Sequence, residues 1–114
     1  LDALQLRLLE KIRSDLAGYS VVRSTSPLDN RAIWLEIFAD GIHKGNSCQT
    51  LLKKLNINCK EVAGLGNDYN DIDFLDICAE AYLVANAPVN LQRHYKLVKS
   101  DKEEGFTEFI SKVL

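Results

Sequence analysis

Methionine is absent from these 114 residues, and proline occurs only twice. Because translation starts with methionine, a chain opening Leu1-Asp2-Ala3 is expected to have lost an initiator, a tag or a whole preceding segment. No apolar run approaches the roughly 20 residues of a membrane span. Residues 1–14 are too charged and polar to act as a secretion signal. Basic excess is missing too: 14 Lys and Arg face 16 Asp and Glu, for a formal net charge of -2. That balance argues against a nucleic-acid partner, which would need a cationic surface to follow phosphates. The three cysteines, Cys48, Cys59 and Cys78, are odd in number and unevenly spaced. They suit neither a zinc knuckle nor a disulfide framework and are expected to be buried thiols. What remains is an expected cytoplasmic protein with no membrane partner. Its 46% hydrophobic content suffices for one core of moderate size, as a single domain or a piece of a larger one.

Leu1, Leu4, Leu8, Ile12 and Leu16 recur at helical spacing with polar residues between them, and Gly18 follows as a stop signal. Val21, Val22 and Thr25 favour a strand over residues 19–26. The sequence Pro27-Leu28-Asp29-Asn30 is turn chemistry. Residues 32–39 then place Ile33, Leu35 and Ile37 on one face and Trp34 and Phe38 on the other, which predicts a hairpin. After the Asp40-Gly41 break the pattern changes to alternating helix and strand. Cys48, Leu51, Leu52 and Leu55 mark a helix from Lys44 to about Asn56. A short strand is expected over residues 61–65, a helix face at Ile72, Leu75 and Cys78, and a strand over residues 81–85. A short helix over residues 88–95, a strand over 96–99 and a final helix stripe at Phe106, Phe109, Ile110 and Val113 complete the pattern. Such short alternating units imply parallel pairing with helical crossovers, and hence half of a doubly wound sheet.

In sheets of that kind ligands bind beyond the carboxyl ends of the strands. Asn67, Asp68, Asn70 and Asp71 would emerge together there, after the apolar segment ending Gly64-Leu65-Gly66. Carboxylate and amide oxygens suit magnesium, which takes one or two carboxylates and completes its shell with water and phosphate oxygens. The same residue types also cap helices and close turns, so a cap at Asn70 or Asp71 for the helix beginning at Ile72 is the competing assignment. Lys44 falls in the first turn of its helix, where the macrodipole disfavours a cation by about 0.3–1 kcal/mol. A bound phosphate would offset this by pairing with the ammonium and accepting backbone N–H groups. Otherwise Lys44 is a solvated lysine that reaches away from the helix end. His43 and His94 have no partner in nearby sequence that would fix a role in acid–base chemistry.

Lys44-Gly45, followed about twenty residues later by Gly66-Asn67-Asp68-Tyr69-Asn70-Asp71, resembles the haloacid dehalogenase superfamily, specifically its Cof-type sugar-phosphatase branch. Val84-Ala85-Asn86-Ala87-Pro88 and Glu104-Gly105-Phe106 resemble later segments of that branch. The resemblance implies an α/β fold in two parts. Residues 1–39 would be the closing helix-strand-strand of an inserted cap, and residues 40–114 the second half of a Rossmann-like three-layer core.

It further implies a magnesium-dependent phosphatase acting on a small phosphorylated metabolite, such as a sugar phosphate, through an aspartyl-phosphate. Lys44 would stabilise the nucleophile and the transferring phosphoryl group. Gly45 and Asn70 would lie at the phosphate, with Asn67, Asp68 and Asp71 at the metal. Two departures from the pattern stand out. Position 67 is Asn where the family pattern has Asp, with Asp68 following it. The nucleophile motif D-x-D-x-[TV], whose first Asp attacks phosphorus, is also missing. Asp71-Ile72-Asp73 is the one D-x-D, and no apolar strand precedes it. The nucleophile is therefore expected on a missing N-terminal half of the same protein, and this chain alone is expected to be inactive. A half-sheet also predicts self-association. The alternative is a phosphate- or metal-binding or protein-interaction module that keeps the half-fold without catalysis.

Overall fold

The computed structural model describes residues 3–29 and 31–114 and divides into two compact units, Leu1–His43 and Lys44–Leu114. Leu1 of the expected first stripe and Asn30 of the expected turn lie outside the described residues.

In the first unit, helix α1 (Ala3–Asp15) precedes an antiparallel hairpin of β1 (Tyr19–Thr25) and β2 (Ile33–Ala39). Val21 pairs with Ile37 and Ser24 with Trp34, so the two predicted faces of β2 hold. The packing stripe of α1 differs from the expected one. Leu4 and Leu8 are 75% and 55% exposed, whereas Leu9 is buried and Gln5, Ile12 and Leu16 are half-buried. The residues 5, 9, 12 and 16 also follow helical spacing. Apolar residues at 4, 6, 8 and 9 make a stripe wider than a two-stranded hairpin can cover, so only one edge of it is sheltered. In the turn, Ser26 Oγ accepts the N–H groups of Leu28 and Asp29 at 3.2 and 3.3 Å. The Asp29 carboxylate accepts Arg31 N–H at 2.9 Å.

The second unit is a parallel sheet in the order β3 (Ala63–Gly66), β4 (Glu80–Val84), β5 (Lys96–Val98). Around it run α2 (Lys44–Leu55), α3 (Ile72–Leu75), α4 (Val89–Gln92) and α5 (Gly105–Val113). Leu75, Tyr82, Leu83, Val84, Ala87, Leu91, Val98 and Phe109 form the buried core. Tyr82 and Phe109 meet edge to face at 5.5 Å between ring centroids, the arrangement favoured by the aromatic quadrupole. This is the α/β, Rossmann-like parallel architecture that the alternating pattern predicts.

Several boundaries move for local reasons. Glu61 is not in a strand: the Asn58 side chain accepts Lys60 N–H at 3.0 Å, and Glu61 Oε2 accepts Asn58 N–H at 3.3 Å. This reciprocal cap winds Cys59–Glu61 into a 3-10 turn and delays β3 to Ala63. Helix α3 stops at Leu75, short of Cys78, because Ala79 N–H already bonds Val62 O and the chain must enter β4 at Glu80. At the other end of the unit's first helix, Asn56 takes a left-handed φ of 54°. Asn56 N–H bonds Lys53 O and Ile57 N–H bonds Leu52 O, a closure that satisfies the last carbonyls of α2. Of the cysteines, Cys48 and Cys78 are half-buried and Cys59 is exposed in its turn, so the buried-thiol expectation fails there. Burial pushes the Cys78 thiol above its ordinary value of 9.0, with neighbouring Cys48 and Cys59 adding to the rise.

Candidate active site at the carboxyl end of β3

Strand β3 ends at Gly66, and the chain turns at once through Asn67 and Asp68 into a 3-10 turn, Tyr69–Asp71, which leads into α3. The turn is organised by two carboxylates. Asp71 Oδ2 accepts the N–H groups of Asn67 at 2.7 Å and Asp68 at 3.2 Å. Asp68 Oδ1 accepts Tyr69 N–H at 2.8 Å, which makes Asp68 the cap of the turn. Capping does occur here, as the competing assignment anticipated, but at Asp68. Asp71 precedes α3 without a capping bond to that helix.

The second oxygen of Asp71 faces α2. Lys44 Nζ donates to Asp71 Oδ1, and the carboxylate is nearly enclosed while the lysine side chain is about half exposed. The structure thus brings together Lys44, Asn67, Asp68 and Asp71, predicted from two separate stretches of sequence. Lys44 does not reach into solvent away from its helix end: it spans to the strand-end loop. This pairing with an anion offsets the unfavourable position of a cation in a first helical turn.

Glycine is required at two points of close approach. A Cβ on Gly45 would lie 2.7 Å from Asp73 O, so the first turn of α2 presses directly on α3. A Cβ on Gly66 would lie 2.8 Å from both Asp71 Cβ and Leu75 Cδ1. Small residues there let the buried carboxylate fold back over the strand end. Asn70 sits in the middle of the turn, half-buried. Asn67 is exposed and Asp68 is buried. His94 is exposed, outside this group.

Side chains that sequence reasoning did not single out tie the neighbouring loops together. Tyr69 OH donates to Asn90 Oδ1 at 2.6 Å, linking the loop after β3 to α4. Gln92 Nε2 donates to Ala85 O at 3.0 Å and Ala87 O at 2.7 Å. Asn86 and Asp101 exchange two bonds, Asn86 Nδ2 to Asp101 Oδ1 at 2.7 Å and Asp101 N–H to Asn86 Oδ1 at 3.3 Å. No periodicity marks the Tyr69–Asn90 and Asn86–Asp101 pairs, since the sheet topology joins them across 21 and 15 residues.

Among the described residues no three His, Cys, Asp or Glu side chains converge as a self-sufficient metal cage. Both oxygens of Asp71 are engaged, Oδ1 by Lys44 and Oδ2 by two backbone N–H groups, so a magnesium ion at this loop would draw on the oxygens of Asn67 and Asp68, with water and a phosphate supplying the rest of its shell.

Fold and loop together define a Rossmann-like α/β domain with a lysine–carboxylate pair at its strand ends. Residues 5–110 match the model of the haloacid dehalogenase-like hydrolases, and the chain belongs to that family. It is 27% identical over 95 residues to a Streptococcus pyogenes serotype M6 protein provisionally named a phosphatase, covering 82% of this chain and 33% of that one. Its structure is similar to that of SMU.1108c from Streptococcus mutans UA159, with a TM-score of 0.77 and 27% identity over 95% of this chain and 40% of that one. It also shares its fold with the subclass IIB sugar phosphatase BT4131, at a TM-score of 0.75 and 16% identity, over 90% of this chain and 38% of that one. The chain therefore spans about a third of the curated relative and about two fifths of these solved structures.

Proposed function

We propose that these residues form part of a magnesium-dependent phosphatase that hydrolyses a small phosphorylated metabolite, such as a sugar phosphate. The Lys44–Asp71 pair carries this reading, because it joins a cation at a helix start to a buried carboxylate that shapes an oxygen-rich loop. Family membership and the similarity to a provisionally named phosphatase support it.

In this reading the nucleophile is an aspartate on polypeptide outside these 114 residues. Its carboxylate oxygen attacks phosphorus as the P–O bond to the substrate breaks, and the leaving oxygen takes a proton from the second aspartate of the D-x-D motif on the same outside segment. Water, giving a proton back to that carboxylate, then hydrolyses the acyl phosphate to release inorganic phosphate. Lys44 neutralises charge on the nucleophile and on the phosphoryl oxygens, and is held in place for this by Asp71. Asn70 and the backbone at Gly45 border the phosphoryl group. Asn67 and Asp68 would ligate magnesium, with Asp71 orienting their loop from behind. When bound, the ion supplies positive charge that offsets the phosphate oxygens.

The test is hydrolysis of p-nitrophenyl phosphate by the parent protein with and without magnesium, alongside Lys44→Ala. Magnesium-dependent turnover that the substitution abolishes is expected; turnover indifferent to both refutes the reading. One observation favours the alternative of a binding or interaction module: Asn67 brings no formal charge where a metal ligand is expected. A parent protein that binds magnesium through Asp68 but turns over no phosphomonoester would establish that alternative.

A further inference from the structure

The loop after β3 is five residues long, and short-range hydrogen bonds run within it: Asp71 accepts the N–H groups of Asn67 and Asp68, and Asp68 accepts that of Tyr69. These bonds fix its internal shape. Its direction depends on what the loop meets outside itself, because the hydrogen-bond geometry of a three-residue 3-10 turn is poor: Asp71 is buried and the Tyr69 ring packs on the core. Side-chain bonds also reach from it to other elements of the unit. Lys44 holds Asp71 from α2, and Tyr69 OH holds Asn90 Oδ1, at 2.6 Å, from α4. Topology explains the second bond. The β3–α3 and β4–α4 connections both leave the carboxyl edge of a parallel sheet, and β3 and β4 are neighbours in it.

From this geometry we infer that Tyr69 and Asn90 form a latch that sets where the Asn67–Asp68 oxygens sit relative to Lys44. The inference rests on the phosphatase reading above and assigns two positioning residues within it. Tyr69 lies between Asp68 and Asn70, and a tyrosine has few torsions, so anchoring its hydroxyl orients the backbone on both sides. The bond itself is solvent-exposed. Exposed hydrogen bonds exchange readily with water and add little to global stability. The latch therefore shows itself in the site more than in the fold. Groups that hold a metal ligand in place typically cost about tenfold in metal affinity when removed.

The test uses the parent protein and magnesium chloride alone, followed by calorimetry, with p-nitrophenyl phosphate turnover measured over a range of magnesium concentrations. Tyr69→Phe keeps the ring and removes the donor. It is expected to weaken magnesium binding about tenfold while leaving the unfolding midpoint nearly unchanged. Activity lost at low magnesium should return at high magnesium. Asn90→Leu should match it, the double variant should be no worse than either single one, and Asn90→Asp, which keeps an acceptor, should retain the affinity. Unchanged magnesium affinity in Tyr69→Phe overturns the latch, as do additive losses in the double variant. Lys44→Ala separates the two levels: if it stays active, the phosphatase reading fails, while the calorimetric comparison still decides the latch.

Discussion

Lys44 Nζ donates to Asp71 Oδ1, so the first residue of α2 is bound to a carboxylate 27 positions further along the chain. The two ends of this pair live in different surroundings: the Asp71 side chain is 4% exposed and that of Lys44 is 49% exposed. Removing the lysine leaves an enclosed carboxylate with only its backbone donors. Lys44→Met should cost about 1–2 kcal/mol in denaturant unfolding, the lower part of the range for bonds to charged groups, because water replaces some of the lost partner. Activity should fall by about two to three orders of magnitude, as for the loss of a charge stabiliser in a transition state. Adding Asp71→Asn should recover much of the stability and none of the activity. Recovery of both would show that the pair is structural only.

The double role of Asp68 can be divided by one substitution. Asp68 caps the turn at Tyr69 and, in the proposed function, ligates magnesium. Asparagine caps about as well as aspartate, so Asp68→Asn should shift unfolding by only a few tenths of a kcal/mol. It removes a formal charge from the metal, so magnesium affinity measured by calorimetry should drop about tenfold, the scale seen for impaired metal sites. Asn67→Asp should move affinity the other way by supplying an anionic oxygen. If both variants bind magnesium like the unaltered protein, the loop is not the metal site.

How far these features could be read from sequence depended on their range. Strand and helix order in both units followed from periods of two and 3.6, and Lys44 with residues 67–71 stood out by side-chain chemistry. The α1 stripe shifted to Gln5, Leu9, Ile12 and Leu16 because the leucine-rich helix offers two overlapping faces, and only the hairpin decides between them. Glu61 left the strand because its own side chain closes a cap with Asn58, a local bond that strand propensity ignores. The Tyr69–Asn90 and Asn86–Asp101 bonds were invisible, since parallel pairing of β3, β4 and β5 is what places their loops side by side.

Gly45 is buried and has no room for a methyl group. An added Cβ would meet Asp73 O at 2.7 Å and Asp73 Cβ at 2.9 Å, contacts that only a shift of α2 away from α3 could relieve. Gly45→Ala should therefore destabilise the protein by about 1–3 kcal/mol, the usual cost of overpacking, despite the better helix propensity of alanine. Because such a shift would carry Lys44 with it, turnover should fall as well. A gain in stability in urea unfolding would contradict the close packing of these two helices.

Acid should weaken the join between β5 and α5. Glu108 Oε2 accepts Lys99 N–H at 2.7 Å, and Oε1 lies 3.5 Å from Lys112 Nζ. The backbone N–H of Lys99, helped by the Lys112 ammonium, holds the Glu108 carboxyl below its ordinary value of 4.5. A carboxylate with a lowered folded value stabilises fully above its unfolded value and loses that contribution as pH falls through the folded one. The unfolding midpoint of the unaltered protein should therefore exceed that of Glu108→Gln by a constant margin above pH 4.5, and the margin should shrink below it. A margin that does not change with pH would rule out this linkage.

Strand β3 stands at one edge of its sheet, with β4 on its other side. Among the described residues no strand pairs with that outer edge, which presents the N–H and C=O groups of a parallel ladder. Beside it in sequence, α2 leaves Leu51 and Leu55 exposed, and Ile57 follows just beyond the helix end, also exposed. Natural edge strands are blunted by charge, proline or a bulge. Ala63, Gly64, Leu65 and Gly66 provide none of these. Taken by itself, the 114-residue chain should therefore self-associate, and sedimentation velocity should show species heavier than 12.8 kDa that increase with concentration. Charging the apolar surface with Leu51→Glu and Leu55→Glu should shift the distribution towards monomer without loss of helix by circular dichroism. A single monomeric species at every concentration would show that this edge needs no partner.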